Sequence, residues 1–418
     1  MTKAASGDQL ARRLGPFDAT VIGLGAMLGA GVFAALAPAA EAAGAGLLLG
    51  LAVAAAVAYC NATSSARLAA RYPVSGGAYV YGRERLGDFW GYLAGWAFVV
   101  GKSASCAAMA LTAGAYLWPT QARPVAMAAV VALTVVNYLG VRKSAWLTRV
   151  IVALVLGVLT LVVAVGLSSG AADPARWEPE LTTGPYGVLQ AAGLLFFAFA
   201  GYARVATLGE EVIAPERTIP RAIAWALGGV LVVYVAVALT ALAVLGPDRL
   251  AASTAPLAEV VRAAGVPWLA PAVRGAAAVA ALGALLALLL GVSRTALAMA
   301  RDGHLPSALA AVHPRFQVPH RAELAVGATV VVLVAGWDLT GAIGFSSFGV
   351  LVYYTVANAA AQTLTPAEGR PPRAVPLLGL AGCLLLACAL PGPSVGWGLT
   401  VLAVGAVGYP LRRRLTRR

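Results

Sequence analysis

The residues that could do chemistry in this chain are backbone groups as much as side chains. The stretch Gly23-Leu-Gly-Ala-Met-Leu-Gly29-Ala30-Gly31-Val-Phe33 places glycines at 23, 25, 29 and 31, and each weakens a helix by ~1 kcal/mol relative to alanine. Three readings fit that spacing. A dinucleotide-binding glycine loop needs a preceding strand and an acidic residue about 20 positions on, and neither context is present. Close helix packing through Gly25 and Gly29, four apart, is the second. An unwound segment inside a helix is the third. A second stretch, Phe196-Phe197-Ala198-Phe199-Ala200-Gly201-Tyr202, sets a glycine among aromatics. Where a helix unwinds, N–H and C=O groups lose their partners, which is tolerated in an apolar setting only around a cavity or a ligand. Half-helix N-termini favour a carboxylate and freed carbonyls an ammonium. The chemistry is recognition of a zwitterion, with no bond made or broken.

The elements that must position these stretches are membrane spans. Of the 418 residues 60% are hydrophobic and 11% charged, and mean hydropathy is +0.83. A soluble domain carries roughly 25% charged residues, so the bilayer is the expected solvent. About twelve stretches approach the ~20 apolar residues that a spanning helix requires: 19–40, 44–66, 90–117, 123–140, 148–168, 186–209, 222–246, 270–299, 322–338, 341–363, 374–390 and 395–411. The polar start, Met1 to Thr20, does not read as a removable signal peptide. The net charge of +13 does not indicate a nucleic-acid partner, because the charges sit in short loops between apolar runs. Cys60, Cys106, Cys383 and Cys388 lie in apolar runs and read as packing residues. His304, His313 and His320 share one loop at a spacing that fits no metal site.

Most basic residues, among them Arg12, Arg13, Arg67, Arg71, Arg142, Lys143 and Arg412 to Arg414, fall on the side of the N-terminus. Arg123, Arg176, Arg249, Arg262 and Arg274 fall on the other. That asymmetry predicts both termini in the cytoplasm and an even number of spans. Tyr72 to Asp88 is turn-rich and amphipathic and is expected along the inner surface. Ser253 to Ala264 predicts a short outer helix capped by Ser253 or Thr254.

The two glycine-bearing stretches lie in spans 1 and 6, corresponding members of two five-helix halves, which points to a transporter binding site. Gly25 to Phe33 resembles the first-helix signature of amino acid permeases of the amino acid–polyamine–organocation superfamily. Phe197-Ala-Phe-Ala-Gly-Tyr202, with Glu210-Glu-Val-Ile-Ala-Pro-Glu-Arg-Thr-Ile-Pro-Arg-Ala-Ile223, resembles their sixth helix and the loop after it. Tyr72-Pro-Val-Ser-Gly-Gly-Ala-Tyr79 resembles the loop after helix 2, and Ala298-Met-Ala-Arg-Asp-Gly-His-Leu-Pro306 the end of helix 8. The resemblance runs in order over roughly residues 15 to 365. It implies an all-α polytopic membrane protein of the leucine-transporter type: a 5+5 inverted repeat with helices 1 and 6 unwound, plus two C-terminal helices, working by alternating access. The segments would be a cytoplasmic tail 1–18, repeat one 19–170, an outer loop 171–185, repeat two 186–363, helices 364–411 and a basic tail 412–418. By position, the N–H groups of Gly29, Ala30 and Gly31 would hold the substrate carboxylate. The carbonyls of Phe197, Ala198, Phe199 and Ala200 would hold its amino group. Phe197, Phe199 and Tyr202 would form an aromatic gate, although packing explains such aromatics equally well.

Lys102, near the middle of span 3, costs at least ~2.5–3.5 kcal/mol to insert and is by default functional. Some sodium-independent relatives place a lysine on helix 5, where its ammonium stands in for sodium; span 5 here, Val150 to Gly166, has none. Lys102 is the expected substitute, set against a purely structural cation that caps carbonyls of a broken helix. The family's sodium site uses hydroxyls on helix 8, and Ala272 to Gly291 has no Ser or Thr. Transport is therefore expected to be sodium-independent, driven by protons or by exchange. Arg204, Glu210 and Glu211 are cytoplasmic gate candidates. With Lys102 and Arg204 positive and no acidic residue found in mid-membrane, neutral amino acids are favoured over acidic ones and over dibasic ones. An enzyme would need a polar cluster at one membrane face, and a channel would not need two interrupted helices. A same-fold transporter or exchanger of another small organic ion is the serious alternative. The bilayer and a small-molecule substrate are the partners expected, with no cofactor and no metal, in the cytoplasmic membrane of a bacterium.

Overall fold

The computed structural model describes residues 14–74, 76–140, 145–178, 183–206 and 212–415. Its helices are α1 Pro16–Met27, α2 Gly31–Ala34, α3 Leu36–Ala43, α4 Leu47–Arg71, α5 Ala78–Leu86, α6 Asp88–Leu117, α7 Ala122–Tyr138, α8 Ala145–Ser168, α9 Gly184–Phe199, α10 Ala203–Ala206, α11 Pro215–Ala252, α12 Pro256–Ala263, α13 Ala270–Arg301, α14 His320–Gly336, α15 Leu339–Gln362, α16 Ala374–Ala389 and α17 Gly392–Leu415. Among the described residues the only β pairing is a parallel bridge between Leu14 and Val212. The protein is an all-helical polytopic membrane protein.

Helices occupy all twelve stretches expected to span, but fewer of them are of full length. Among the described residues nine are long and apolar enough to cross a bilayer, and the pair α16 and α17, bent by 116°, makes up to ten. α14 has 17 residues and α16 has 16, which at 1.5 Å per residue is roughly 25 Å, short of an ~30 Å hydrocarbon core. The stretches 322–338 and 374–390 are hardly longer than the helices they form, and runs this short do not make a full span. In α11 the chain stays coiled beyond the apolar stretch, but Gly246 at φ 73° followed by Pro247 breaks it.

α6 is the central helix. Of its membrane-length window 89% is buried, against 17% for the segment containing α7 and 28% for α8, so the last two face lipid. α6 packs on α13 and α15. Where it crosses α15, a Cβ on Gly101 would lie 3.0 Å from the Gly349 Cα. One turn on, the Ser105 and Ser346 hydroxyls meet at 2.5 Å. Small residues let the two backbones approach this closely. α4 packs on α9 and α11, and α1 on α8 and α11.

Two loop expectations are corrected. α5 does not lie along a surface: Ala78 to Gly82 are buried, and the Ala78 N–H donates to the Tyr353 hydroxyl at 2.8 Å. The outer helix starts at Pro256, and its cap position is Ala255, with no side-chain cap from Ser253 or Thr254. Proline presets the first helical φ and needs no capped N–H.

Candidate functional site

Both glycine-bearing spans are broken. α1 ends at Met27, where the Leu28 N–H still reaches Leu24 O at 2.7 Å; the helix resumes when Phe33 and Ala34 donate to Ala30 O at 3.1 and 3.0 Å. Leu28 to Ala30 lie between. α9 ends at Phe199 and passes through a tight turn, Ala200–Tyr202, into α10.

The two breaks pack on each other by backbone. A Cβ on Gly31 would stand 2.6 Å from the Ala198 Cα, one on Gly201 would overlap the Ala26 carbonyl, and one on Gly29 would stand 2.6 Å from the Ala284 Cβ of α13. Gly25 faces Val152 of α8 at 2.9 Å in the same sense. Close packing and unwinding are thus joint uses of one glycine pattern. Gly29, Ala30 and Gly31 are buried beside Ala198, so the groups expected to hold a carboxylate and those expected to hold an amine are brought together.

Three side chains hold the breaks from other helices. The Tyr234 hydroxyl of α11 lies 2.6 Å from Met27 O and 2.9 Å from Ala198 O. Its single proton serves two acceptors, one on each broken span. The Lys102 ammonium, 6% exposed, donates to Ala200 O at 3.2 Å, where α9 ends. The Tyr116 hydroxyl of α6 donates to Phe33 O at 3.1 Å, and their rings meet edge to face at 5.7 Å.

Of the gate aromatics, Phe199 is fully buried and meets Tyr234 edge to face at 5.1 Å. Phe197 is 7% exposed. Tyr202 stacks on Tyr354 of α15 at 5.2 Å, with neither hydroxyl hydrogen-bonded. Arg204 is half-buried and reaches toward Gly291 of α13. Glu210 and Glu211 lie outside the described residues. An apolar groove of about 590 Å³ between α4 and α11, lined by Leu48, Leu51, Tyr59, Leu231 and Val235 among others, includes none of the break residues.

On the face where α5 lies, polar side chains tie segments distant in sequence. The Tyr79 hydroxyl lies 2.5 Å from the Asp302 carboxylate and 2.9 Å from His304 Nδ1, and Arg83 donates to Asp302 at 2.7 Å. Burial first, then the bond to Asp302, push the Tyr79 phenol well above its ordinary range. Glu368 accepts from Arg85 and, at 3.2 Å, from Arg71. Those bonds, Arg85 foremost, and the Thr365 N–H hold its carboxyl down at about 2. Ile213 N–H donates to Leu14 O at 3.0 Å, joining the start of the first broken span to the chain beyond the second.

A family model described as amino acid permease matches residues 14–408. The chain belongs to the amino acid permease family. The permease is similar to an uncharacterised transporter of Mycobacterium tuberculosis, 70% identical over 411 residues, which is 98% of this chain and 93% of that one. The branched-chain amino acid permease BcaP of Bacillus subtilis is 29% identical, over 98% of this chain and 95% of its own. The methylthioribose transporter of the same organism is 30% identical, over 97% and 94%. The family and these relatives are transporters, so the permease is no enzyme.

Sequence reasoning missed Tyr234, Tyr116 and Glu323. A lone tyrosine in an apolar run carries no spacing signal. Glu323 did carry one: it falls at the start of the stretch 322–338, in the first turn of α14, so an acidic residue lies within an expected span although not at its middle. The fold buries it to 1% exposure.

Proposed function

We propose that the permease moves neutral amino acids by sodium-independent, proton-coupled alternating access, with the substrate held at the facing breaks of the first and sixth spans. The carrying observation is that these breaks lie backbone to backbone, Gly31 against Ala198. Parting them presents N–H groups of Gly29 to Gly31 to a carboxylate and carbonyls of Phe197 to Ala200 to an ammonium. Phe197, Phe199 and Tyr202 close over the substrate.

Lys102 takes the place of a coupling cation, holding Ala200 O as a metal ion would hold a freed carbonyl. Against a sodium site on α13, no Ser or Thr lies between Ala272 and Gly291. Neutral substrates fit a break region whose nearest ionised group is a cation, and a relative bears the name branched-chain amino acid permease. Both termini lie in the cytoplasm of a bacterial cell, on the basic side of the membrane, and Arg204 with Glu210 and Glu211 belongs to the cytoplasmic gate. A relative named for methylthioribose favours a second reading, a non-amino-acid substrate on the same fold.

The test is uptake of labelled amino acids into sodium-free proteoliposomes, with and without an inward proton gradient. Gradient-driven accumulation is expected. Exchange alone, from preloaded vesicles, replaces symport by antiport, and neither activity in vesicles holding folded protein moves the substrate to another class.

A further inference from the structure

Among the described residues, Lys102 and Glu323 are the charged side chains that the fold buries. Lys102 has the Ala200 carbonyl. Neither carboxylate oxygen of Glu323 makes a hydrogen bond of good geometry, although the Ser293 and Asn137 side chains lie against it. An ionised carboxylate buried without donors costs several kcal/mol, and an ionisable group inside a membrane bundle marks a functional position by default.

The groups around it are defined on every side. From α13 come Ser293 and the exposed Arg294, and from α7 comes Asn137. From α6 comes Cys106, whose thiol lies in the field of both Glu323 and Lys102. On α14 itself His320 stands three residues earlier, on the same helix face, with its Nδ1 buried and unbonded. The His320 ring lies 5.4 Å from that of His313 and 6.2 Å from that of Tyr138, toward the loop that leads into α14. Arg321, also on α14, is exposed.

Both donors beside the carboxyl are also engaged with backbone carbonyls. Ser293 gives its proton to Leu289 O at 2.8 Å and Asn137 donates to Leu286 O at 3.1 Å. In this conformation the site suits an uncharged carboxyl. A shift of α13 against α7 and α14 that re-aimed Ser293 and Asn137 would suit a carboxylate. Two packings of one site that favour different protonation states are what coupling requires.

We propose that Glu323 is a proton-carrying site of the permease: its carboxyl holds a proton in this conformation and releases it when Ser293 and Asn137 turn toward it. An O–H bond forms on the carboxylate with a proton from water on one side of the membrane. It breaks to give that proton to water on the other side, and no electrons change hands. The proposal rests on the proton-coupled reading above and names the group that carries the proton.

The experiment uses the full chain in sodium-free proteoliposomes, a radiolabelled mixture of the protein amino acids and a pH-reporting dye in the lumen. Glu323→Gln is expected to keep exchange at zero gradient while gradient-driven accumulation and substrate-linked proton influx fall about tenfold or more. Glu323→Asp is expected to keep both. Wild-type accumulation and proton influx in Glu323→Gln would overturn the proposal alone. Wild-type protein that exchanges substrate without proton influx would overturn the coupled reading and the proposal with it. A folding defect in the glutamine variant is met by infrared spectroscopy of the wild type and Glu323→Asp. A protonated-carboxyl band that responds to pH and moves in the aspartate variant supports the site; wild-type protein without such a band overturns it.

Discussion

The Tyr234 hydroxyl stands 2.6 Å from the Met27 carbonyl oxygen and satisfies, from another helix, an acceptor that the broken first span cannot satisfy itself. The same hydroxyl lies 2.9 Å from Ala198 O, so one proton joins the two breaks. Tyr234→Phe keeps the ring contact with Phe199 and removes that proton. A buried acceptor left unpaired costs ~1–3 kcal/mol. The variant is expected to unfold at a lower temperature in detergent and to exchange substrate several-fold more slowly. Unchanged values of both would show that the bridge contributes nothing.

Lys102→Met preserves the bulk of the side chain and removes the donor to Ala200 O. The expected outcome is loss of gradient-driven uptake with a flattened pH profile. Uptake whose pH dependence matches the wild type would leave Lys102 with a structural role only.

Gly31→Ala places a methyl 2.6 Å from the Ala198 Cα, which is backbone and cannot swing away. Overpacking of this kind costs ~1–3 kcal/mol, here at the contact between the two breaks. The variant is expected to lose most exchange activity, whereas Gly275→Ala, with nothing within 4 Å of the added Cβ, is expected to transport normally. Equal activity in the two variants would mean that the breaks do not meet this closely.

Glu368 is half-buried, and its arginine partners hold its carboxyl at about 2, below the ~4.3 of a free glutamate. A depressed folded-state value means that the stabilisation is fully present above the unfolded value and fades as pH falls through the folded one. Thermal unfolding of the wild type and Glu368→Gln is expected to differ at neutral pH, with the gap closing between about pH 4.3 and pH 2. A gap that is constant across that window would disprove the pairing with Arg85 and Arg71.

The sequence by itself determined the solvent, the helices and the two places where they break. Composition and apolar run length required a bilayer. The glycines from Gly23 to Gly31 and the Phe196–Tyr202 stretch marked helices that do not run through, because a missing Cβ and local helix propensity are properties of the chain alone. Run length did not separate a full span from a 16- or 17-residue helix such as α16 or α14, since a run just short of the hydrocarbon thickness is as apolar as one that crosses it. What lay beyond the chain's reach was every partner distant in sequence. That Tyr234 serves Met27, that Lys102 meets Ala200, that Asp302 meets Tyr79 and that Glu323 is buried between Ser293 and Asn137 are facts of packing. A hydrogen-bond donor or a charge shows in the sequence. Whether another helix satisfies it depends on crossing angles and depths that only the assembled bundle sets.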